Sequence, residues 1–183
     1  MHIQVETSIP PELSEATWQL YTTAFDELRV TAVQRHVMDR SEFDQVLGDT
    51  RVLKYLGRDA RSPDLLTALA TFTNELESMP LISPDFFAHR WPDLYAQRRI
   101  WYIGFFAVHP QYRGGGIFES VIADMWRRVQ DSDGVAALDI CRRNDQIGLG
   151  RAIHQTLESL TEGARATRLD EQTFWLYELP PRP

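Results

Sequence analysis

The sequence predicts a single-domain α/β (α+β) fold, with a mixed central sheet of about six to seven strands and helices on both faces. Three observations carry this. The run Ile100 to Val108 is the longest apolar stretch and fits a central strand covered on both sides. The glycine-rich segment Gln111-Tyr112-Arg113-Gly114-Gly115-Gly116 follows it directly. Then Ile117, Val121, Ile122, Met125, Trp126 and Val129 form one helical stripe, with Arg127, Arg128 and Gln130 outside it. The chain has 183 residues, 43% of them hydrophobic and 11% aromatic, which suits one domain (1–183) with a sizeable core.

The remaining elements follow in order. Ile3 and Val5 alternate with polar neighbours and predict a short first strand. Pro10 and Pro11 break it, and a helix starts there with Leu13, Ala16, Leu20 and Ala24 at inward spacing. A second helix is expected from Ser41 as cap to Leu47, stopped by Gly48. Val52 to Leu56 reads as a strand, Gly57 to Pro63 as a charged loop, and Leu65 to Thr73 as the next strand, with helix left open there. In the segment at about 78–99, Pro80, Pro84 and Pro92 prevent one long element, and a short helix starts at Pro84. Beyond the stripe, Gly134 ends the connection and Val135 to Cys141 is a strand. Asp145 to Leu160 is a helix with Leu149, Ile153, Leu157 and Leu160 inward, its first turns weakened by Gly148 and Gly150. Ala164 to Arg168 and Thr173 to Leu179 read as a hairpin, and Pro180 to Pro183 as a frayed end.

Charge narrows the function classes. The net charge is −7 with no long lysine or arginine block, which argues against nucleic acid or an anionic membrane and towards a cationic partner such as an amine. Cys141 is the single cysteine, so no internal disulfide can form. No long apolar run marks a membrane span, and the N-terminus carries no signal-peptide pattern, so a reduced cytoplasmic compartment is expected.

A strand entering a glycine-rich loop and then a helix presents free backbone N–H groups to a phosphate. A nucleoside-triphosphate loop needs Gly-Lys-Ser/Thr, whereas this loop ends Gly116-Ile117-Phe118. A dinucleotide fingerprint needs a third glycine where Glu119 stands. Gln111-x-x-Gly114-x-Gly116, preceded by Phe106-Ala107-Val108-His109-Pro110, instead resembles the coenzyme A loop of the GNAT superfamily of acyl-CoA-dependent N-acyltransferases. The likeness is strong over Ile100 to Leu160 and is one of layout before Ser78. Phe118 departs from it, standing where a small residue is usual.

That resemblance implies acetyl-CoA as co-substrate and transfer of its acyl group to a primary amine. By position it implies pantetheine contacts from Phe106, Ala107 and Val108, and a diphosphate wrapped by Arg113, Gly114, Gly115, Gly116, Ile117 and Phe118. Arg113 is either an ion-pair partner or a solvated cation. Asn144, in Ile140-Cys141-Arg142-Arg143-Asn144, matches a cofactor-contacting asparagine, and it or Asp145 can equally cap a helix. The family's oxyanion donor would be the Val108 N–H. Its leaving-group tyrosine is missing: strict spacing puts Arg151 there, and His154 is the better acid one turn on. Strand alternation puts Tyr102, Gly104 and Phe106 on the acceptor side, with Tyr102 as a proton relay or a core residue. Glu75 and Asp139 are the nearest acids, and Cys141 is either a nucleophile or a small buried residue. No cluster has metal-ligand spacing. The 78–99 segment is expected to act as a lid, a dimer surface or part of the core. An acyl-CoA-binding protein without catalysis is the alternative function, and the acceptor, a small molecule or a peptide amine, stays open.

Overall fold

In the computed structural model, which describes residues 2–31, 37–59 and 62–179, the first strand runs over His2–Glu6 (β1). A 3-10 turn at Pro11–Leu13 leads into α1 (Ser14–Phe25). Of the expected inward set of α1, Leu20 is buried and Ala16 is exposed, and Thr17 and Tyr21 complete the buried stripe. Tyr21 brings more apolar surface than either alanine, and its hydroxyl accepts the Met38 N–H at 2.9 Å. A one-turn α2 (Leu28–Thr31), unforeseen, follows. α3 (Arg40–Gly48) is capped by Asp39 and not by Ser41, because Asp39 and Glu42 form a reciprocal capping box.

β2 (Leu53–Asp59) and β3 (Ser62–Thr73) are longer than the sequence suggested. Most of the stretch expected as a loop is paired: Gly57 faces Ala68, Arg58 faces Leu66 and Asp59 faces Ser62, across two register shifts. Extra residues in one strand let a charged, irregular stretch stay in the ladder. Residues 60 and 61 lie outside the described residues. The proline-broken segment holds two short helices, α4 (Pro84–Arg90) and α5 (Pro92–Ala96), each with proline at its first turn. Phe87 is buried and Trp91 packs beside it, so this segment contributes to the core.

β4 (Ile100–Val108), α6 (Ile117–Asp131) and β5 (Val135–Leu138) complete the sheet, which has five strands in the order β1-β2-β3-β4-β5. The first four are antiparallel neighbours, and β5 runs parallel to β4. The strand expected to reach Cys141 stops at Leu138. The single helix expected from Asp145 is two, α7 (Arg142–Gln146) and α8 (Leu149–Leu160). Gly148 breaks it at φ 90°, in the left-handed region. Of the expected inward residues of α8, Ile153 alone is buried.

Among the described residues no C-terminal hairpin forms. Thr173–Leu179 has strand composition, yet Trp175, Leu176, Tyr177 and Leu179 are 75% to 89% exposed and pack on no layer. Among the described residues the sheet therefore has five strands, and the expected six to seven are not found. Pro180 to Pro183 lie outside the described residues.

Each face of the sheet carries its own core. On one side Leu20, Tyr21, Phe43 and Leu47 from α1 and α3 cover Leu56, Leu69 and Tyr102. On the other, Ile117, Val121, Ile122 and Met125 of α6 cover Tyr55, Ala70, Phe72 and Ile103. Burial of a side chain this size stabilises by about 1.5–3 kcal/mol. Lys54 is a buried exception. Its Nζ donates to Thr7 O at 3.0 Å and Asp49 O at 2.5 Å, and burial pulls its pKa down to about 8.

Candidate functional site

β5 pairs with β4 only from Ile100 to Ile103. Beyond that point β4 continues to Val108 with β3 alone, and the two strands part. The N–H groups of Phe105 and His109 are taken up on the β3 side, by Thr71 Oγ1 at 3.2 Å and Thr67 O at 2.9 Å. Strand alternation then turns the N–H groups of Phe106 and Val108 to the opposite, open edge. A cleft lies in this gap, walled by Phe105, Phe106, Phe118, Cys141, Asn144 and Ile153. It is apolar apart from Asp139 and Asn144, which suits a thin, mostly hydrocarbon arm with amide groups in it.

At the far end of β4 the chain turns through Pro110–Tyr112 into the glycine loop. Gly114 and Gly116 have φ of 79° and 76°, a region glycine enters without strain. A Cβ on either would meet no atom within 4 Å, so both stand beside open space. Gly116 caps α6 without a side-chain hydrogen bond. The first helical bond is Ser120 N–H to Gly116 O, which leaves the N–H groups of Ile117, Phe118 and Glu119 without helical partners. Gly115 N–H is already engaged by Tyr112 O at 3.3 Å. Together with the positive end of the helix dipole, the free donors favour an anion here. Arg113 is neither free nor at the helix end: its guanidinium donates to Ala24 O at the end of α1, at 3.2 Å. Phe118 turns its ring away from the loop onto Phe106, 4.9 Å between centroids, so its size leaves the loop clear.

Of the backbone set, Phe106 and Phe118 line the cleft, whereas the Ala107 side chain is wholly buried in the core. Asn144 lines the cleft from within α7, whose cap residue is Cys141, and α8 is capped by Gly148. Helix capping by Asn144 or Asp145 is thus not what the fold uses. Cys141 also faces the cleft, buried and unpaired by disulfide.

The expected alternation on β4 fails at one point. Thr71 pairs with Phe105 and Phe72 with Ile103, so Gly104 is an extra residue in the strand. A Cβ on Gly104 would come within 2.7 Å of Thr71 Oγ1 and Met79 Sδ, which is why glycine stands there. The bulge puts Phe105 on the α1 face, against Tyr21 and Phe25, and Phe106 on the α6 face. Tyr102 and Gly104 therefore share a side with Phe105 and not with Phe106.

On that side lies a second, smaller hollow, walled by Tyr21, Val46, Met79, Ile82, Tyr102 and Phe105 among others. Gly104, Phe105 and Asp139 border both hollows. Asp139 follows the end of β5, and the Tyr102 hydroxyl donates to its Oδ1 at 2.6 Å. Burial, then the charge of Asp139, raises the Tyr102 pKa, so the phenol keeps its proton at neutral pH.

The other catalytic candidates stand apart. Glu75 pairs with Arg98 and borders neither hollow. His154 is half-buried on α8 beside Ile153, and it is Ile153 that reaches the cleft. Arg151 is exposed. Among the described residues no group of three His, Cys, Asp or Glu side chains is placed to hold a metal ion, and no helix is long and apolar enough to cross a membrane. What sequence reading did not foresee is that Asp139 and Phe105 border both hollows. The clue to the place of Phe105 was the lone glycine inside an apolar strand, a mark of a bulge.

The sequence matches no protein-family model and no curated protein. Solved structures do match. A probable acetyltransferase covers 100% of this chain and 99% of its own, at 12% identity and a TM-score of 0.55. A GNAT-family acetyltransferase from Listeria monocytogenes 4b F2365 covers 82% of this chain and 83% of its own, at 13% identity and a TM-score of 0.54. An aminoglycoside acetyltransferase from an uncultured soil metagenomic sample, solved with sisomicin, covers 94% and 96%, at 11% identity and a TM-score of 0.52. At these identities the likeness is one of architecture, and the fold of this chain is that of the GNAT superfamily.

Proposed function

We propose that the chain is an N-acyltransferase that moves an acyl group, most simply acetyl, from an acyl-CoA to a primary amine by direct attack in a ternary complex. The observation that carries this is the meeting of two hollows, one on each side of the β4 bulge, at Gly104, Phe105 and Asp139. The cleft beside the open β4 edge suits the pantetheine arm, with the Val108 N–H group as a partner for its amides. The N–H donors of Ile117, Phe118 and Glu119 suit the diphosphate. An amine in the second hollow then reaches the thioester across Asp139.

In this reading Asp139 takes the proton that the ammonium must lose, directly or through one water, and Tyr102 holds that carboxylate in place. The amine nitrogen forms its bond to the thioester carbonyl carbon, and the Phe106 N–H, the open-edge donor next to the junction, steadies the oxyanion. Collapse breaks the C–S bond, and the thiolate leaves to be protonated by solvent, since no acid of α8 borders the cleft. Much of the rate then rests on positioning.

Release of free CoA thiol from acetyl-CoA, with amines supplied in turn and the acetylated product confirmed by mass, tests the proposal. Amine-dependent thiol release supports it. Acetyl-CoA binding without turnover by any amine would favour the second reading, a non-catalytic acyl-CoA-binding protein, for which the missing α8 acid speaks.

A further inference from the structure

The cleft beside β4 is too small, as it stands, for the arm of an acyl-CoA. Its volume is about 100 Å³, well short of the ~300 Å³ at which pockets for small organic ligands begin. One of its walls has to give way. The walls differ in how firmly they are set. Ile122 of α6 is buried in the core. α8 packs on that core through Leu157, and Thr161 at its end accepts the Trp126 Nε1–H at 2.8 Å. Phe25 and Leu28 wall the cleft where α1 passes into α2, and in the stretch 24–28 no residue is buried. Phe25 lies against the rings of Tyr21 and Phe105, but α2 is a single turn that buries no side chain. A segment with so little buried surface opens before the packed elements do.

Two arginines hold this stretch in place. Arg113, in the turn after β4, donates to Ala24 O at 3.2 Å, at the negative end of α1. Arg143, on α7 beyond β5, pairs with Glu27 Oε2 at 2.7 Å. The ties come from the chain beyond each of the two strands that part around the cleft, so together they draw the stretch across the gap. From this we infer that residues 24–28 are a gate on the cleft, latched shut by Arg113 and Arg143, which swings aside to admit the acyl-CoA. The inference rests on the acyl-CoA reading above and adds how the ligand enters. Opening releases Arg113 beside the loop where the diphosphate is expected, and a phosphate oxygen is a stronger partner for a guanidinium than a backbone carbonyl. The shut form does not bind, so the latch weakens the apparent affinity in proportion to the fraction of molecules that are shut.

Loosening the latch should therefore tighten binding, the reverse of what the loss of a merely structural ion pair does. The test is calorimetric titration with acetyl-CoA of the native protein, Glu27→Gln and Arg143→Gln, with association rates by stopped flow. Neither side chain borders either hollow. The pair is exposed on both sides, at 48% and 72%, so each variant should lower Kd by about two- to fivefold. One variant removes an anion and the other a cation. A change of field acting on the anionic ligand would move them in opposite directions, whereas an untied gate moves both the same way. The gain should lie in the association rate, since the gate of the loaded protein is already open. An unchanged or raised Kd in either folded variant, or a gain lying wholly in dissociation, would overturn the inference and leave the acyl-CoA reading standing. No binding of acetyl-CoA by the folded native chain would defeat that reading and this inference with it.

Discussion

Gly104→Ala places one methyl group at the bulge on which the site is built. The added Cβ would stand 2.7 Å from Thr71 Oγ1 and from Met79 Sδ, whereas ordinary contact begins at 3.4 Å, so each gap must open by about 0.7 Å. Met79 is buried but has rotatable bonds with which to retreat. Thr71 is buried and its hydroxyl holds the Phe105 N–H at 3.2 Å, so retreat there strands a buried donor. Overpacking costs about 1–3 kcal/mol and the stranded N–H about 1–3 kcal/mol. Alanine returns about 0.5–1 kcal/mol through lower chain entropy. The net loss is about 1–5 kcal/mol. With a urea m-value of about 1–3 kcal/mol/M the midpoint should fall by about 1 M at unchanged m. Gly48→Ala is the control. It closes α3, meets nothing within 4 Å and has no positive φ, so it should be neutral or gain up to about 1 kcal/mol. A Gly104→Ala protein as stable as Gly48→Ala would refute the reasoning about the bulge.

Other outcomes follow from the same geometry. Asp139→Asn should lower kcat by about 100-fold with the KM for acetyl-CoA little changed, because the proposed mechanism sets Asp139 against the amine; a parallel loss of acetyl-CoA binding would assign it to the cofactor side. Tyr102→Phe removes the 2.6 Å bond to Asp139 and should cost about 1.5–3 kcal/mol in urea unfolding. Folding lowers the Lys54 pKa from 10.5 to about 8. Between those values the unfolded chain holds a proton that the folded chain lacks, so stability should rise as pH climbs through 8 towards 10 and carry its full penalty below 8. Urea midpoints across that window should show the rise in the native protein and lose it in Lys54→Met. Trp175→Glu, at a side chain 75% exposed, should change stability by less than about 0.5 kcal/mol.

The parts of this fold legible in the sequence are those in which local pattern and tertiary role agree. Ile100 to Val108 is buried on both faces and could be little but a strand, and its span is observed unchanged. The α6 stripe is likewise buried at Ile117, Val121, Ile122, Met125 and Val129. What sequence could not show depended on partners. The side chains of Phe105 and Phe106 are assigned to opposite faces by one extra residue, and alternation alone reverses them. Thr173–Leu179 has the composition of a strand, but composition does not supply a neighbour, and among the described residues none pairs with it. The split between α7 and α8 turns on Gly148 alone, a residue that weakens a helix in any context but ends it only when the backbone turns left-handed. In the site, the glycine loop and Asn144 were readable as a motif. The Tyr102–Asp139 bond joins two strands distant in sequence, and only the fold brings it together.

The most direct test of the account is calorimetric titration with acetyl-CoA, of the native protein and of a Gly114→Glu, Gly116→Glu variant. Neither position has an atom within 4 Å of a Cβ, so the variant keeps its packing, with strain of about 1–2 kcal/mol at each left-handed residue. Its carboxylates stand where the diphosphate is expected. The account predicts saturable binding to the native chain and at least about a tenfold loss in a variant that remains folded. No binding by the folded native chain, or equal binding by both, would contradict it.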